Sequence, residues 1–378
     1  MNKKIATITY HAAYNYGANL QAFALQKFVE KIIPNCEYSI INLRTDVQKR
    51  LYKTVFQKKG IKNQIKKVIM MSEKKKLIEK EKKFEDFISD YLNITKEFSN
   101  TEDVRKNLEE YDYYISGSDQ IWNIRLPDFS YAYYLEFTNN PKKISYAASF
   151  GAKNFECNTE EKQRIYSDLK EYNYLSVREN KSLIKAREIL GSDKNIEINI
   201  DPTMLLTKEE WEKIIPKEKL IKEKYIFYYD VKDTKENAVI AKKIEKKLKK
   251  KIVVSRYQGL YTYMQKFKRK FDTGPIEFLN LIKYADTIVT SSFHGVVFAI
   301  LLEKPFLVIN GEKDNRIKDL LENMGFEDKS VNIENYTEKC ENIYNIDFDV
   351  AHKYLVDERE KSKKYLRKSL EYGGIDNE

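Results

Sequence analysis

The sequence predicts an α/β protein of two Rossmann-like domains facing a cleft. Three observations carry that expectation. Strand-like runs rich in β-branched and aromatic residues alternate with helix-like runs, the pattern of parallel sheets with crossover helices. The alternation breaks once, at "DPTMLL" (Asp201 to Leu206), and then resumes. The chain of 378 residues also exceeds what a single core of ordinary size accommodates.

In the first half, strands are expected at Lys4–Thr9, Tyr38–Asn42, Asp112–Ser116, Ile144–Ala148, Leu175–Val177 and Ile196–Ile200. Helices are expected at Asn19–Ile33, Glu160–Glu171 and Asn180–Leu190, where apolar residues recur at helical spacing. The second half reads as strand Tyr225–Tyr229, helix Lys235–Lys250, strand Ile252–Ser255, helix Ile276–Tyr284, strand Thr287–Thr290, helix Val296–Leu302 and strand Phe306–Ile309. The expected domains are therefore 1–205 and 206–350, with a last helix, Ala351 to Leu370, packing back on the first domain.

One segment departs from this plan. Val47 to Phe84 carries fourteen Lys or Arg against three Glu, an excess of eleven positive charges in a chain whose net charge is +10. Its apolar residues, with Ile61, Ile65, Val68, Leu77 and Phe84 among them, keep near-heptad spacing, so a basic helical insertion over about 47–91 of the N-terminal domain is expected. A solvated basic face is one reading. The other is attraction to anionic membrane lipid or an acidic glycan carrier. Nucleic acid is not expected as a partner, because no reader motif accompanies the charge.

The longest apolar run, Val296 to Leu302, falls far short of the roughly 18 residues of a membrane span. Cys36, Cys157 and Cys340 are odd in number and widely spaced, which suggests neither a disulfide framework nor a zinc site. A cytoplasmic protein, working at the inner face of the cell membrane if the basic segment binds lipid, is the expectation.

Open parallel sheets hold ligands beyond the carboxyl ends of their strands, and five unusual turns fall there. In "HAAYNYGAN", Gly17 and the following helix start suit an anion, Asn15 offers an amide contact or a cap, and His11 stands close by. The absence of G-x-G-x-x-G gives no sign of a dinucleotide. In "SGSDQIWN", Asp119 is a candidate general base and Trp122 and Gln120 candidate sugar contacts. The same loop also reads as an Asx-turn with Trp122 buried in the core. "SFG" follows the fourth strand. Arg178, ending a short strand, suits a carboxylate or phosphate, although for an isolated arginine a surface ion pair with Glu179 or another nearby acid is the favoured account. His294 in "SSFHG" sits where a strand gives way to a helix, placed to take or give a proton near neutral pH. Lys304 and Arg316 are weaker candidates. No H-x₃-H spacing occurs, so no metal is expected.

The segments "NYGANLQAFALQKF", "GSDQIWN", "SYAASFG", "SVRE", "DPTMLL" and "SSFHGVVFAILLEKPF", in that order, resemble the polysaccharide pyruvyl transferase family from about Ile5 to Leu321. The resemblance implies a GT-B-like fold and transfer of a pyruvyl group from phosphoenolpyruvate to a cell-surface polysaccharide, usually as a ketal, with no cofactor beyond that donor. It implies donor binding by Arg178 and donor binding or catalysis by His294, with Lys304 matching a lysine sometimes implicated and Asp119 an acidic position. Family members often carry arginine two residues before the histidine; here Ser292 stands there, and the missing cation is expected from His11, Lys304 or Arg316. A nucleotide-sugar glycosyltransferase and a non-catalytic glycan- or lipid-carrier-binding protein are the alternatives.

Overall fold

A computed structural model describes residues 2–52, 71–140, 142–151, 155–255 and 259–371. The chain forms two compact units, the first of residues 1–52, 88–206 and 355–378, the second of residues 53–87 and 207–354.

Unit 1 is built on parallel strands β1 (Lys4–Ile8), β2 (Glu37–Leu43), β3 (Ile94–Phe98), β4 (Tyr113–Ser116) and β5 (Lys143–Ser145), in the order β3-β2-β1-β4-β5. A further parallel pair, β6 (Leu175–Val177) and β7 (Ile196–Ile198), continues it through the bridge between Ile144 and Tyr174. The central strands are mostly apolar, as sheets covered on both faces require; Ile5, Ala6, Ile8, Ile40, Ile41 and Ile115 are all fully buried. β3 was not expected, because "ITKEF" is mostly polar; it is an edge strand that exposes its middle residues.

Unit 2 repeats the scheme with β8 (Ile226–Tyr229), β9 (Ile252–Val254), β10 (Lys268–Arg269), β11 (Thr287–Thr290), β12 (Phe306–Ile309) and β13 (Ser330–Val331), all parallel, in the order β10-β9-β8-β11-β12-β13. β10 and β13 are two residues long, too short to leave a periodic signal. Both sheets have the order of a doubly wound fold, with chain reversal beside the first strand of each unit.

Two helices start earlier than the periodicity suggests. The first covers Tyr16–Ile32, because Asn15 accepts from the Gly17 N–H at 3.0 Å and fixes the start ahead of the apolar stripe. The helix after β11 covers Phe293–Leu301 and includes His294. Gly295 makes that start possible: a Cβ there would fall 2.3 Å from Thr290 Oγ1.

The basic segment departs from the expected placement. Residues 53–70 lie outside the described residues. The helix Lys74–Tyr91 contributes its residues through Phe87 to unit 2, not to the N-terminal domain. Leu77 joins the core of Ile226, Ile240, Ile244 and Phe271; Glu73 pairs with Arg269 at 3.0 Å, and Lys83 with Glu277 at 3.1 Å. Lys80 is buried. The heptad spacing thus serves a core, and part of the charge is spent in ion pairs. At the other end, the helix Asp349–Glu371 gives its residues from Leu355 onward to unit 1, where Arg359 donates to the Met204 and Leu206 carbonyls and Tyr365 to the Ser145 carbonyl.

The turn after β4 sets the height of everything that follows it. Gly117 has φ +136, and a Cβ there would fall 2.1 Å from the Tyr146 carbonyl oxygen. Gly117→Ala is expected to lower stability by at least the roughly 1–3 kcal/mol of a backbone held in a glycine-only region, read as a shift of the urea midpoint.

Candidate functional site

In unit 1 the loops leaving the carboxyl ends of β4, β5, β6 and β7 gather around Arg178. Its side chain is 3% exposed. Nη1 donates to Asp201 Oδ2 at 2.8 Å, Nε to Glu179 Oε2 at 3.3 Å, and Asp119 Oδ1 lies 3.6 Å from Nη1. Burial alone disfavours the charged guanidinium, but Asp201, Glu179 and Asp119 outweigh it and hold the pKa above its ordinary value.

Each partner is itself fixed. Asp201 opens the "DPT" turn, its Oδ1 accepting from Thr203 N at 3.0 Å and Thr203 Oγ1 at 2.7 Å. Glu179 accepts from Ser149 Oγ at 2.7 Å and from Ser182 Oγ. Asp119 takes φ +75 and accepts from Gln120 N at 2.8 Å, while its carbonyl accepts from Ser149 N at 3.0 Å. Gln120 and Asn123 lie against Gly151, where a Cβ would come within 2.8 Å of both. Glu179 was expected only as an ion-pair partner of Arg178, and Asp201 was not foreseen, although both follow strand ends, the signal that singled out Arg178.

Three expected ligand contacts are structural in this arrangement. Trp122 is fully buried, donates to Ser116 Oγ at 3.2 Å, and stacks on Tyr134 with centroids 5.9 Å apart, so it has no face for a sugar. His11 is 1% exposed, its ring nitrogens 3.2 Å from the Thr9 carbonyl and 3.0 Å from Asn42 Oδ1, which also removes it as a substitute cation at the surface. Gly17 is buried inside the first helix, its N–H already bonded to Asn15. That helix start is capped by its own chain and offers an anion less than expected.

Unit 2 presents the contrasting case. The helix Phe293–Leu301 starts at Ser292, whose side chain makes no capping bond, and His294 is its second residue, partly exposed. The Arg316 guanidinium lies 5.9 Å from the Phe293 ring centroid, held by bonds of 3.1 and 2.9 Å to Asp314. Beneath this edge, Asp230 at the end of β8 is fully buried. It accepts from Ser291 Oγ, from Lys232 N at 3.0 Å, from Tyr228 Oη at 2.9 Å and from Asn237 Nδ2 at 3.2 Å. Asp230 thereby fixes the turn that carries Ser292 and His294.

Lys304 does not belong to this edge. It precedes β12, and the register pairing Ile288 with Phe306 and Thr290 with Val308 puts it at the amino ends of the strands. Its electrostatic partner is Asp286, before β11, and burial lowers its pKa. A helix of nine residues, about 13 Å long, separates it from His294. Among the described residues, no three His, Cys, Asp or Glu side chains are grouped to hold a metal ion.

Comparison with known proteins agrees with the fold and motifs. Residues 15–312 match the family model for polysaccharide pyruvyl transferase. No curated protein matches the chain. Among solved structures, UDP-N-acetylglucosamine 2-epimerase from Rickettsia bellii is similar with a TM-score of 0.57 at 12% identity, over 98% of this chain and 97% of that one. UDP-GlcNAc 2-epimerase from Methanocaldococcus jannaschii is similar with a TM-score of 0.50 at 15% identity, over 92% and 93%. At such identities the likeness shows the fold alone: two Rossmann-like domains of the GT-B type.

Removing one partner from a buried charge cluster leaves the others uncompensated. Arg178→Ala is expected to cost about 3–5 kcal/mol of stability, and Asp201→Asn measurably less, because Asn retains the turn and an acceptor. Chemical denaturation of both variants checks the order.

Proposed function

The chain belongs to the polysaccharide pyruvyl transferase family, and on that premise we propose that it transfers a pyruvyl group from phosphoenolpyruvate to two hydroxyls of a sugar. The sugar belongs to a cell-surface polysaccharide or its lipid-linked precursor, and the product is a ketal. The observation that best supports a donor of this kind is the uncapped helix start at Ser292, with His294 in its first turn and Arg316 against Phe293.

Phosphoenolpyruvate carries a carboxylate and a phosphate, so it needs backbone N–H donors and fixed cations. The N–H groups beyond Ser292 suit those needs in unit 2, and Arg316 stands in for the arginine that Ser292 replaces if the donor takes the place of its present partner, Asp314. His294 delivers a proton to the methylene carbon or steadies the departing phosphate. Two hydroxyl O–H bonds break and two O–C bonds form at the donor's central carbon. One proton ends in the new methyl group and the other leaves with phosphate. A carboxylate receives the attacking hydroxyl's proton first. Arg178, expected to hold the donor, already has its charge met by carboxylates, so donor contact there requires one of them to be exchanged for the donor's own.

The absence of arginine at position 292 favours one second reading, a glycosyltransferase using a nucleotide sugar. Thermal stabilisation by UDP- or GDP-sugars, with none by phosphoenolpyruvate, would decide for it. Binding of glycan with no turnover of any donor would decide for a carrier-binding protein.

His294→Ala and Arg316→Ala are each expected to reduce phosphate release from phosphoenolpyruvate by about 10²–10⁴-fold in chains that still unfold cooperatively. Mass spectrometry of a lipid-linked and nitrophenyl glycoside panel reads the pyruvate adduct. Near-normal turnover in both variants removes them from the reaction.

We also propose peripheral contact with anionic membrane through the basic segment. Lys53, Lys58, Lys59, Lys62, Lys66 and Lys67 are the charges to test, since Leu77 and Phe84 serve a core. Their replacement by Gln is expected to weaken binding to phosphatidylglycerol vesicles by about 1 kcal/mol per lysine near the surface, an effect that vanishes at high salt.

A further inference from the structure

With Trp122 and His11 closed off, the acceptor side of the reaction has no expected residues left but Gln120, and the edge of unit 1 holds a group that nothing above uses. Tyr10 follows β1 and is 5% exposed, its ring 4.6 Å from that of Tyr133. Its hydroxyl is buried and has no hydrogen-bond partner among the described residues. Its neighbours are fully engaged by comparison. Tyr133 Oη accepts from Gln48 Nε2 at 2.7 Å, Gln48 Nε2 also donates to the Asp128 carbonyl at 3.1 Å, and Tyr52 Oη donates to Asp128 Oδ2 at 2.5 Å. Tyr14, from the same loop as Tyr10, brings its ring 6.4 Å from that of Tyr52. Tyr14, Tyr52 and Asp128 are each partly exposed, so the cluster opens to the surface while the Tyr10 hydroxyl lies beneath it.

Asp128 and Asp119 act on one another, and Asp119 acts also on Tyr10, Tyr52 and Tyr133. The two carboxylates are nonetheless differently placed. Asp119 lies beside a guanidinium and accepts from a backbone N–H. Asp128 has tyrosines around it; burial, aided by Asp119, raises its pKa against the opposing bond from Tyr52. One carboxylate beside a guanidinium and another buried among tyrosines are an arrangement that divides charge pairing from proton transfer.

We propose that Tyr10, Tyr52 and Asp128 form the acceptor subsite of this transferase, with the tyrosines holding the sugar and Asp128 taking the proton of the attacking hydroxyl. The assignment rests on the pyruvyl-transfer reading above and deepens it. The chemistry selects a neutral polyol. Ring faces suit the C–H faces of a pyranose, phenol and carboxylate groups suit its hydroxyls, and the paired carboxylates repel a phosphate. A sugar hydroxyl that displaces the partly exposed Tyr52 or Tyr14 ring meets the waiting Tyr10 hydroxyl. Asp128 receives the proton as the oxygen–carbon bond forms, and gives it up before the second hydroxyl attacks. It ends the cycle as a carboxylate, the two protons being in the methyl group and the released phosphate.

Tyr10→Phe and Asp128→Asn test this with almost no change of shape. Saturation-transfer NMR of the full chain with p-nitrophenyl β-galactoside, β-glucoside and β-mannoside, with and without phosphoenolpyruvate, reads acceptor binding; phosphate release reads turnover. Tyr10→Phe is expected to weaken glycoside binding about tenfold, the worth of one hydrogen bond, with phosphoenolpyruvate binding unchanged. It should not lower the urea midpoint, because the hydroxyl it removes supports no bond among the described residues. Asp128→Asn is expected to cut phosphate release by about 10²–10⁴-fold while the glycoside still binds. Glycoside binding that depends on Tyr10, in a protein that releases no phosphate from phosphoenolpyruvate, keeps the subsite and overturns the pyruvyl-transfer reading. Wild-type binding and turnover in both variants overturn the subsite and leave that reading standing. Failure of wild type to bind any of the three glycosides also overturns the subsite.

Discussion

A guanidinium removed from water survives only where countercharge is built around it, and unit 1 is organised to provide that for Arg178. The three acids come from three places in the chain: Asp119 after β4, Glu179 beside Arg178 itself, and Asp201 after β7. Each is held by a turn that would have no reason to take its shape otherwise. The Asp201 bonds to Thr203 explain "DPT", the Glu179 bonds to Ser149 and Ser182 explain the serine of "SFG", and the close approach at Gly151 seats the Asp119 loop. Motifs far apart in sequence are thus parts of one charge cluster.

That cluster is not neutral. One positive and three negative groups leave an excess of two negative charges when all are ionised. Water is largely excluded, so the excess is felt by whatever lies near. Its effect reaches Asp128, whose carboxyl is raised with Asp119 as one cause. Unit 2 is built differently at the corresponding edge. Its helix start is uncapped, its acid Asp230 is consumed by five bonds from its own turn and neighbours, and a guanidinium lies against Phe293. Two sheets of the same topology have therefore acquired edges of different make-up.

Much of this was legible in the sequence, and the failures have physical causes. The strands of both sheets were readable because a parallel sheet covered on both faces leaves continuous apolar runs, while β3, β10 and β13 are polar or too short to do so. The turns that hold Arg178, Asp119 and His294 were readable from their place after strands. What a one-dimensional pattern does not carry is which way a side chain points. Trp122 and His11 share loops with functional candidates and turn into the core. Lys304 follows His294 closely in sequence, yet lies at the other end of the sheet, because a crossover helix reverses the direction of the chain between them. The heptad of the basic segment was read as a surface helix, since nothing local distinguishes a stripe that faces lipid from one that covers Ile240 and Ile244.

The Tyr10 hydroxyl bears on how such a site is maintained. A buried hydroxyl without a partner costs roughly 1–3 kcal/mol, which phenylalanine would avoid at the same volume. Its neighbours show that the local chain is capable of satisfying such groups: Tyr133 and Tyr52 are both bonded, and Gln48 serves two acceptors with one amide. An unsatisfied group amid satisfied ones is therefore not a sign of loose packing. Where a fold gives bonds to the neighbouring tyrosines and leaves one hydroxyl open, the missing partner is most economically supplied from outside the chain. A sugar hydroxyl supplies both the acceptor that Tyr10 lacks among the described residues and the proton that Asp128 is suited to receive.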